Sequence, residues 1–199
     1  MSPDRTRDVE GVDVDLEVED ASNVLALASP ADDAAYFGSL LPSVGSDVVA
    51  IEYRRSPDRF LETWNRHAGA LPTRCAIVSV GDYARSAATT RGDSMAFGPA
   101  TVDLVADCGD LTTLGRRIGD HLEEPGTVLT FDSLSEPLAD VELPTAFRFL
   151  HVLVNRVAAA EAVGYYRLDP DAHDEQTVST LSQLFDVTVR LEDGVWTTV

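Results

Sequence analysis

From Asn23 to the end of the chain, short apolar runs alternate with amphipathic stretches, and few folds accommodate that order. "VLALAS", "DVVAIEY", "RCAIVSV", "ATVDLVA", "GTVLTFDSLS" and "GYYRLD" read as strands. Between them lie helical signals. "DDAAYFGSLL" is a short helix with aspartates suited to its first turn. "SPDRFLETWNRH" opens on a serine before a proline, an N-cap and first-turn pair, and puts Phe60, Trp64 and His67 on one face. "LTTLGRRIGDHLEE" follows Asp110, Pro144 opens the long "TAFRFLHVLVNRVAAAEA", and "EQTVSTLSQLF" is the last helix. "DVTVRLE" and "GVWTTV" are joined by Asp193-Gly194, a hairpin turn. Strands alternating with helices predict an α/β protein, a mostly parallel sheet with helices on both faces and an antiparallel C-terminal hairpin. One domain over residues 22–199 is expected. Residues 81–98, "GDYARSAATTRGDSMAFG", break the alternation and read as a long loop rich in small residues.

Residues 1–21 are polar and acidic, with Val12, Val14 and Val18 at alternate spacing, which predicts a flexible arm or at most an edge strand. Acids dominate the whole chain: 34 acidic residues against 15 basic ones give a formal charge of −19. Every basic residue is arginine; there is no lysine. Such a composition suits a cytoplasm of high salt, where a Debye length of about 3 Å screens the self-repulsion. The same charge repels nucleic acid and anionic membranes, and the adjacent arginines of "EYRRSP" and "RRIGDH" are flanked by acids. No apolar run approaches the roughly 20 residues of a membrane span, and no apolar core of a signal peptide precedes Asn23. A cytoplasmic location is expected. Cys75 and Cys108 lack metal-ligand spacing and read as free thiols. His67, His121, His151 and His173 form no short-spaced motif and read as helix-face residues, so no metal is expected.

The ordered set of elements resembles the RecA/KaiC-like branch of the phosphate-loop ATPases across residues 23–199. "NVLALAS" stands where that family's strand enters the phosphate loop, and "VVAIEYRRSPDRFLETW" is similar to its second strand and following helix. "TVLTFDSLSE" resembles its second nucleotide motif, a hydrophobic run ending in aspartate. The long helix, "GYYRLD" and the closing hairpin match its C-terminal half. Within that branch the chain most resembles an uncharacterised haloarchaeal family of small RecA-like proteins with decayed motifs. The resemblance implies a three-layer RecA-like domain.

The chemistry of the resemblance is missing. A phosphate loop, G-x-x-x-x-G-K-[ST], uses glycines to close backbone N–H groups around phosphates and a lysine to neutralise them. Laid on this chain the motif falls on Ala28, Asp33, Ala34 and Ala35, with Asp32 beside them. A like-charge contact at about 4 Å costs roughly 4 kcal/mol at an effective dielectric near 20. A micromolar affinity is only about 8 kcal/mol, so one such aspartate offsets much of it. The family's acidic pair after the second strand is here Arg54-Arg55, and guanidinium is no general base. Glu52 lies inside the strand and is expected to point elsewhere, while Asp132 keeps the position of a magnesium-associated aspartate and also suits a helix or turn cap. Asp32 and Asp33 are expected to cap their own helix.

The function expected is therefore a non-catalytic module, regulatory or signalling, that binds a protein partner or itself. It would carry no cofactor and no catalytic residue, with the 81–98 segment, the acidic arm and Trp196 as candidate contacts. The alternative is a nucleotide-binding protein or weak ATPase using Arg54, Arg55 and Asp132. A different enzyme in the same crevice would draw on Asp32, Asp33, Arg54, Arg55, Asp132 and Asp107, with a magnesium ion held by oxygen ligands. No Ser-His-Asp order, G-x-S-x-G or H-E-x-x-H is present to favour it.

Overall fold

A computed structural model describes residues 21–41, 47–91, 94–98, 100–122 and 124–199. The expected acidic arm, residues 1–21, thus lies outside the described residues except for Ala21. Nine strands form one sheet in the order β4-β5-β3-β2-β6-β7-β1-β8-β9. They are β1 (Asn23–Leu27), β2 (Asp47–Glu52), β3 (Arg74–Val80), β4 (Ser94–Phe97), β5 (Ala100–Val105), β6 (Val128–Asp132), β7 (Val163–Leu168), β8 (Val187–Glu192) and β9 (Val195–Thr198). The seven central strands run parallel, and only the edge strands β4 and β9 are antiparallel to their neighbours. The α/β architecture and the C-terminal hairpin are those the sequence predicts.

Each buried strand alternates its side chains between two apolar layers. On one face Leu25, Ile51, Val78, Leu129, Phe131 and Tyr166 pack beneath three helices: α4 (Leu111–Gly119), α6 (Leu143–Ala159) and α7 (Glu175–Ser182). On the other, Val24, Ala26, Val48, Ala50, Ile77, Val102 and Tyr165 meet α1 (Asp33–Ala35), the wide π turn Tyr36–Leu40 that continues it, α2 (Pro57–Ala68) and α3 (Asp82–Arg91). Phe37, Phe60 and Trp64 form an aromatic cluster under the second layer, Phe37 edge-on to the other two, with ring centroids 5.8–6.4 Å apart. A short α5 (Ser135–Asp140) follows β6. Among the described residues no helix is long and apolar enough to cross a membrane.

The described residues of 81–98 are not a loop. They hold α3 and β4, which adds an antiparallel edge to β5. Asp82 supplies an acid to the first turn of α3, and alanines favour the helix. Its apolar side is small, with Ala84 fully buried, so the periodic signal in the sequence is faint. Trp196 is likewise no surface contact: it is 2 % exposed and its indole N–H donates to Ser39 Oγ at 3.3 Å.

Gly164 in β7 is required by packing. A Cβ there would lie 2.6 Å from the Tyr166 ring, which is wedged between Phe131 and Phe185 and donates its hydroxyl to Asn23 Oδ1. The ring cannot retreat, so Gly164→Ala is expected to cost about 1–3 kcal/mol of stability through overpacking. Chemical denaturation checks it, and an unchanged midpoint would mean that the Tyr166 ring is free to move.

Candidate functional site

Register places the polar residues of the sheet at one spot. Glu52 is paired with Asp132 across β2 and β6, and Phe131 with Tyr166 across β6 and β7, so Arg167 stands next in line. Glu52, Asp132 and Arg167 follow Ala50, Thr130 and Tyr165 by two residues, so they share the face covered by the Tyr36–Leu40 turn. All three lie at the carboxyl ends of the parallel strands, where open α/β sheets bind ligands. They are almost wholly buried, at 0 %, 0 % and 1 % exposure.

Two guanidiniums knit this spot together. Arg167 Nε donates to Asp132 Oδ1 at 2.8 Å, while its Nη2 reaches Asp132 Oδ2, a bidentate grip. Arg55, in the turn after β2, donates Nη1 to the same Asp132 Oδ2 and to Glu52 Oε2 at 3.3 Å. Both arginines converge on Asp33 Oδ1, Arg55 through Nη2 and Arg167 through Nη1 at 3.1 Å. Aromatic faces close the assembly: the Arg167 guanidinium lies 4.7 Å from the Tyr36 ring centre and that of Arg55 5.2 Å from Phe37. The Tyr36 hydroxyl donates to the Tyr165 carbonyl and bonds Thr130 Oγ1, fixing the turn over the sheet.

Charge balance explains how this polar group is tolerated inside the fold. Burial raises the Asp132 carboxyl, but the guanidiniums of Arg167 and Arg55 outweigh it and hold Asp132 below its ordinary value. Burial, followed by the Asp132 carboxylate, pushes Glu52 well above the usual carboxylate range, against the pull of Arg55. Glu52 therefore keeps its proton far above the pH at which an exposed glutamate loses it. Asp33 and Asp132 then face Arg55 and Arg167, two charges against two. Glu52 Oε1 and Ser79 Oγ, in register on β2 and β3, are buried without a hydrogen-bond partner among the described residues.

Several expectations need correcting. Asp32 is the N-cap of α1 yet makes no capping bond through its side chain, and Asp33 spends its carboxylate on the arginines. The helix is not closed by its own aspartates. Asp132 caps nothing either, because the guanidiniums take both its oxygens. Glu52, expected to point elsewhere, belongs to the cluster. Arg54 turns outward and pairs with Glu136 at 3.6 Å, so it does not act with Arg55. Asp107 is also apart, accepting the Gly109 N–H at 2.9 Å. Ala28 is buried with its N–H on the Leu168 carbonyl, and Ala34 and Ala35 complete α1. His67 and His151 lie on helices as expected, but His121 pairs with Asp103 at 2.7 Å beyond the end of α4, and His173 bonds Ser135 Oγ at 3.0 Å ahead of α7. Both cysteines are free, and burial pushes the Cys75 thiol up to about 12.

Arg167 is the residue that sequence reasoning missed. Its signal was present in "GYYRLD": an arginine inside a strand buried on both faces demands a buried acid. What the arrangement can do chemically is narrow. Asp132 is committed to guanidiniums, Glu52 is shut from solvent with its carboxyl pushed well above the usual range, and Asp33 stands with its carboxylate where a phosphate would sit.

No curated protein matches the chain by sequence. Among solved structures 122 chains match, so the fold is common and by itself says little about activity. One is the Pyrococcus horikoshii OT3 protein of the structural study PH0250, with a TM-score of 0.54 at 10 % identity, over 89 % of this chain and 85 % of that one. That likeness is one of fold alone. A sequence profile matches residues 21–191, and with it the chain belongs to a family of unknown function, DUF7504.

Proposed function

We propose that the protein is a non-catalytic, RecA/KaiC-like module of a high-salt cytoplasm, working through contacts with protein in a regulatory or signalling role. The observation that carries the reading is the ion network itself. At the strand ends where a RecA-like ATPase receives nucleotide, Asp33 and Asp132 are bonded to Arg55 and Arg167, and the Tyr36–Leu40 turn packs over them. A triphosphate would have to displace Asp33 from both arginines and then sit against its charge, with no lysine in the chain to offset the repulsion. Water activation is disfavoured on the same residues, since Glu52 is buried away from water and Arg55 cannot accept a proton.

Calorimetric titration of ATP with magnesium in molar potassium chloride tests the reading. No heat up to millimolar nucleotide is expected. A micromolar dissociation constant, weakened by Arg55→Ala, would overturn it and make the arginines phosphate ligands instead.

A further inference from the structure

Exposed acids mark most helices of this chain: Asp58 and Glu62 on α2, Asp82 on α3, Asp140 on α5 and Glu175 on α7. Two neighbouring helices break that rule. α4 and α6 together hold Arg116, Arg117, Arg148 and Arg156 and no aspartate or glutamate. Between them runs an apolar groove of about 350 Å³, lined by Leu111, Phe149, Val152 and Leu153, with Val152 66 % exposed. A second hollow, of about 370 Å³ at Leu143, Pro144 and Phe147, continues the apolar surface toward the start of α6, and Arg148 borders both. A lone exposed apolar side chain is ordinary, but a contiguous patch marks a surface that is covered in use.

Glycines on α4 shape the groove. A Cβ at Gly115 would press on the Phe149 ring at 3.3 Å, and one at Gly119 would run into the Arg156 guanidinium. Without those side chains Arg156 lies across α4 and donates to the Gly115 carbonyl at 3.4 Å. Arg148 donates to Thr145 Oγ1 at 3.1 Å. Neither pairs with a carboxylate among the described residues. Eight residues separate the two arginines on α6, about 12 Å along its axis, with Val152 midway.

That layout selects the occupant. A second copy would bring α6 against α6 about a two-fold axis. Centred on Val152, the axis sets Arg148 of one chain against Arg156 of the other, like charge on like. A helix with acids at i and i+7 and apolar residues at i+3 and i+4 fits instead. All four positions share one helix face, and the acids stand about 10.5 Å apart, within reach of two flexible guanidiniums.

We infer that the groove between α4 and α6 is the docking site for an acidic amphipathic helix of a partner protein, a partner class that rests on the reading of this protein as one working through protein contacts. The apolar pair of that helix covers Val152 and Phe149, and its two acids meet Arg148 and Arg156.

Peptide titration into the full chain tests it. The probe is a synthetic alanine- and glutamine-based helical peptide carrying Glu-x-x-Leu-Leu-x-x-Glu, with lysine for both glutamates in its control. By fluorescence anisotropy in molar potassium chloride, the glutamate peptide is expected to bind saturably and about tenfold more tightly than the lysine peptide. Val152→Asp is expected to weaken it at least tenfold, and Arg148→Glu with Arg156→Glu to reverse the preference. All three side chains are exposed, so these variants should keep the wild-type unfolding midpoint. Equal affinity for the two peptides, or no saturable binding of either up to millimolar concentration, would overturn the assignment. So would binding that Val152→Asp leaves unchanged, or a dimer of the chain that Val152→Asp dissociates, which gives the groove to a second copy. The ATP titration keeps the two readings apart. Silent nucleotide beside a failed peptide removes the groove alone, and nucleotide binding beside a bound peptide removes the non-catalytic reading alone.

Discussion

Arg167→Ala is expected to lower the unfolding free energy by about 3–5 kcal/mol, the cost of leaving a buried carboxylate without its partner. Asp132 is 0 % exposed and accepts from both Nε and Nη2 of Arg167, so removal of that side chain takes away its bidentate donor and leaves Arg55 alone beside it. Tyr36 loses the cation over its ring at the same time. Urea denaturation in molar potassium chloride measures the loss, and a change below about 1 kcal/mol would mean that water reaches Asp132 in the folded protein. The double variant Asp132→Leu with Arg167→Met is expected to lose less than Arg167→Ala alone. Replacing both members of a buried ion pair with apolar groups is often close to neutral, whereas orphaning one is not. The comparison separates a network that specifies how the turn packs from one that supplies net stability.

The contrast between Arg167 and the elements around it shows what the sequence reveals and what it hides. Strand and helix order are legible because each depends on local spacing: short runs such as "VLTFD" and "YYRLD", bounded by polar turns, alternate with amphipathic stretches of helical length. The union of Asp132 with Arg167 depends instead on β6 lying beside β7, and that of both with Glu52 and Asp33 on β2 and β1 flanking them. Strand order is a global property that no local window contains. An arginine in a buried strand announces that it needs an acid, but with 34 acids in the chain the partner is not identified. The same limit misdirected Glu52, placed elsewhere on its two-residue offset from Arg54. In the structure the turn after β2 swings Arg55 back over Glu52 and sends Arg54 outward to Glu136. Residues 81–98 misled for a different reason: α3 buries alanine rather than leucine or phenylalanine, leaving the pattern that marks a helix almost flat.

Glu52→Gln is expected to stabilise the protein by an amount that grows with pH. Burial and the neighbouring Asp132 carboxylate raise the folded-state pKa of Glu52 well above its unfolded value of about 4.3. Between those two values the folded protein binds more protons than the unfolded chain, so stability falls as pH rises. The contribution of Glu52 is thus fully present below the unfolded value and lost as pH climbs through the folded one. Asp132 has the opposite sign: its folded pKa is depressed, so its contribution is present above the unfolded value near 3.9 and lost as pH falls through the folded one. Together they give the wild type an optimum flanked by an acid limb due to Asp132 and an alkaline limb due to Glu52. Glutamine matches protonated glutamate in shape and cannot ionise, so the variant keeps the acid limb and loses the alkaline one. Near pH 4 the two proteins should be closely similar. By pH 8 the variant should lead by at least about 1.4 kcal/mol, the cost to the wild type of each pH unit that lies between the unfolded and folded values of Glu52. Denaturation curves collected across that range decide the matter, and a difference that stays constant with pH would show that Glu52 ionises in the folded protein as readily as in the unfolded chain.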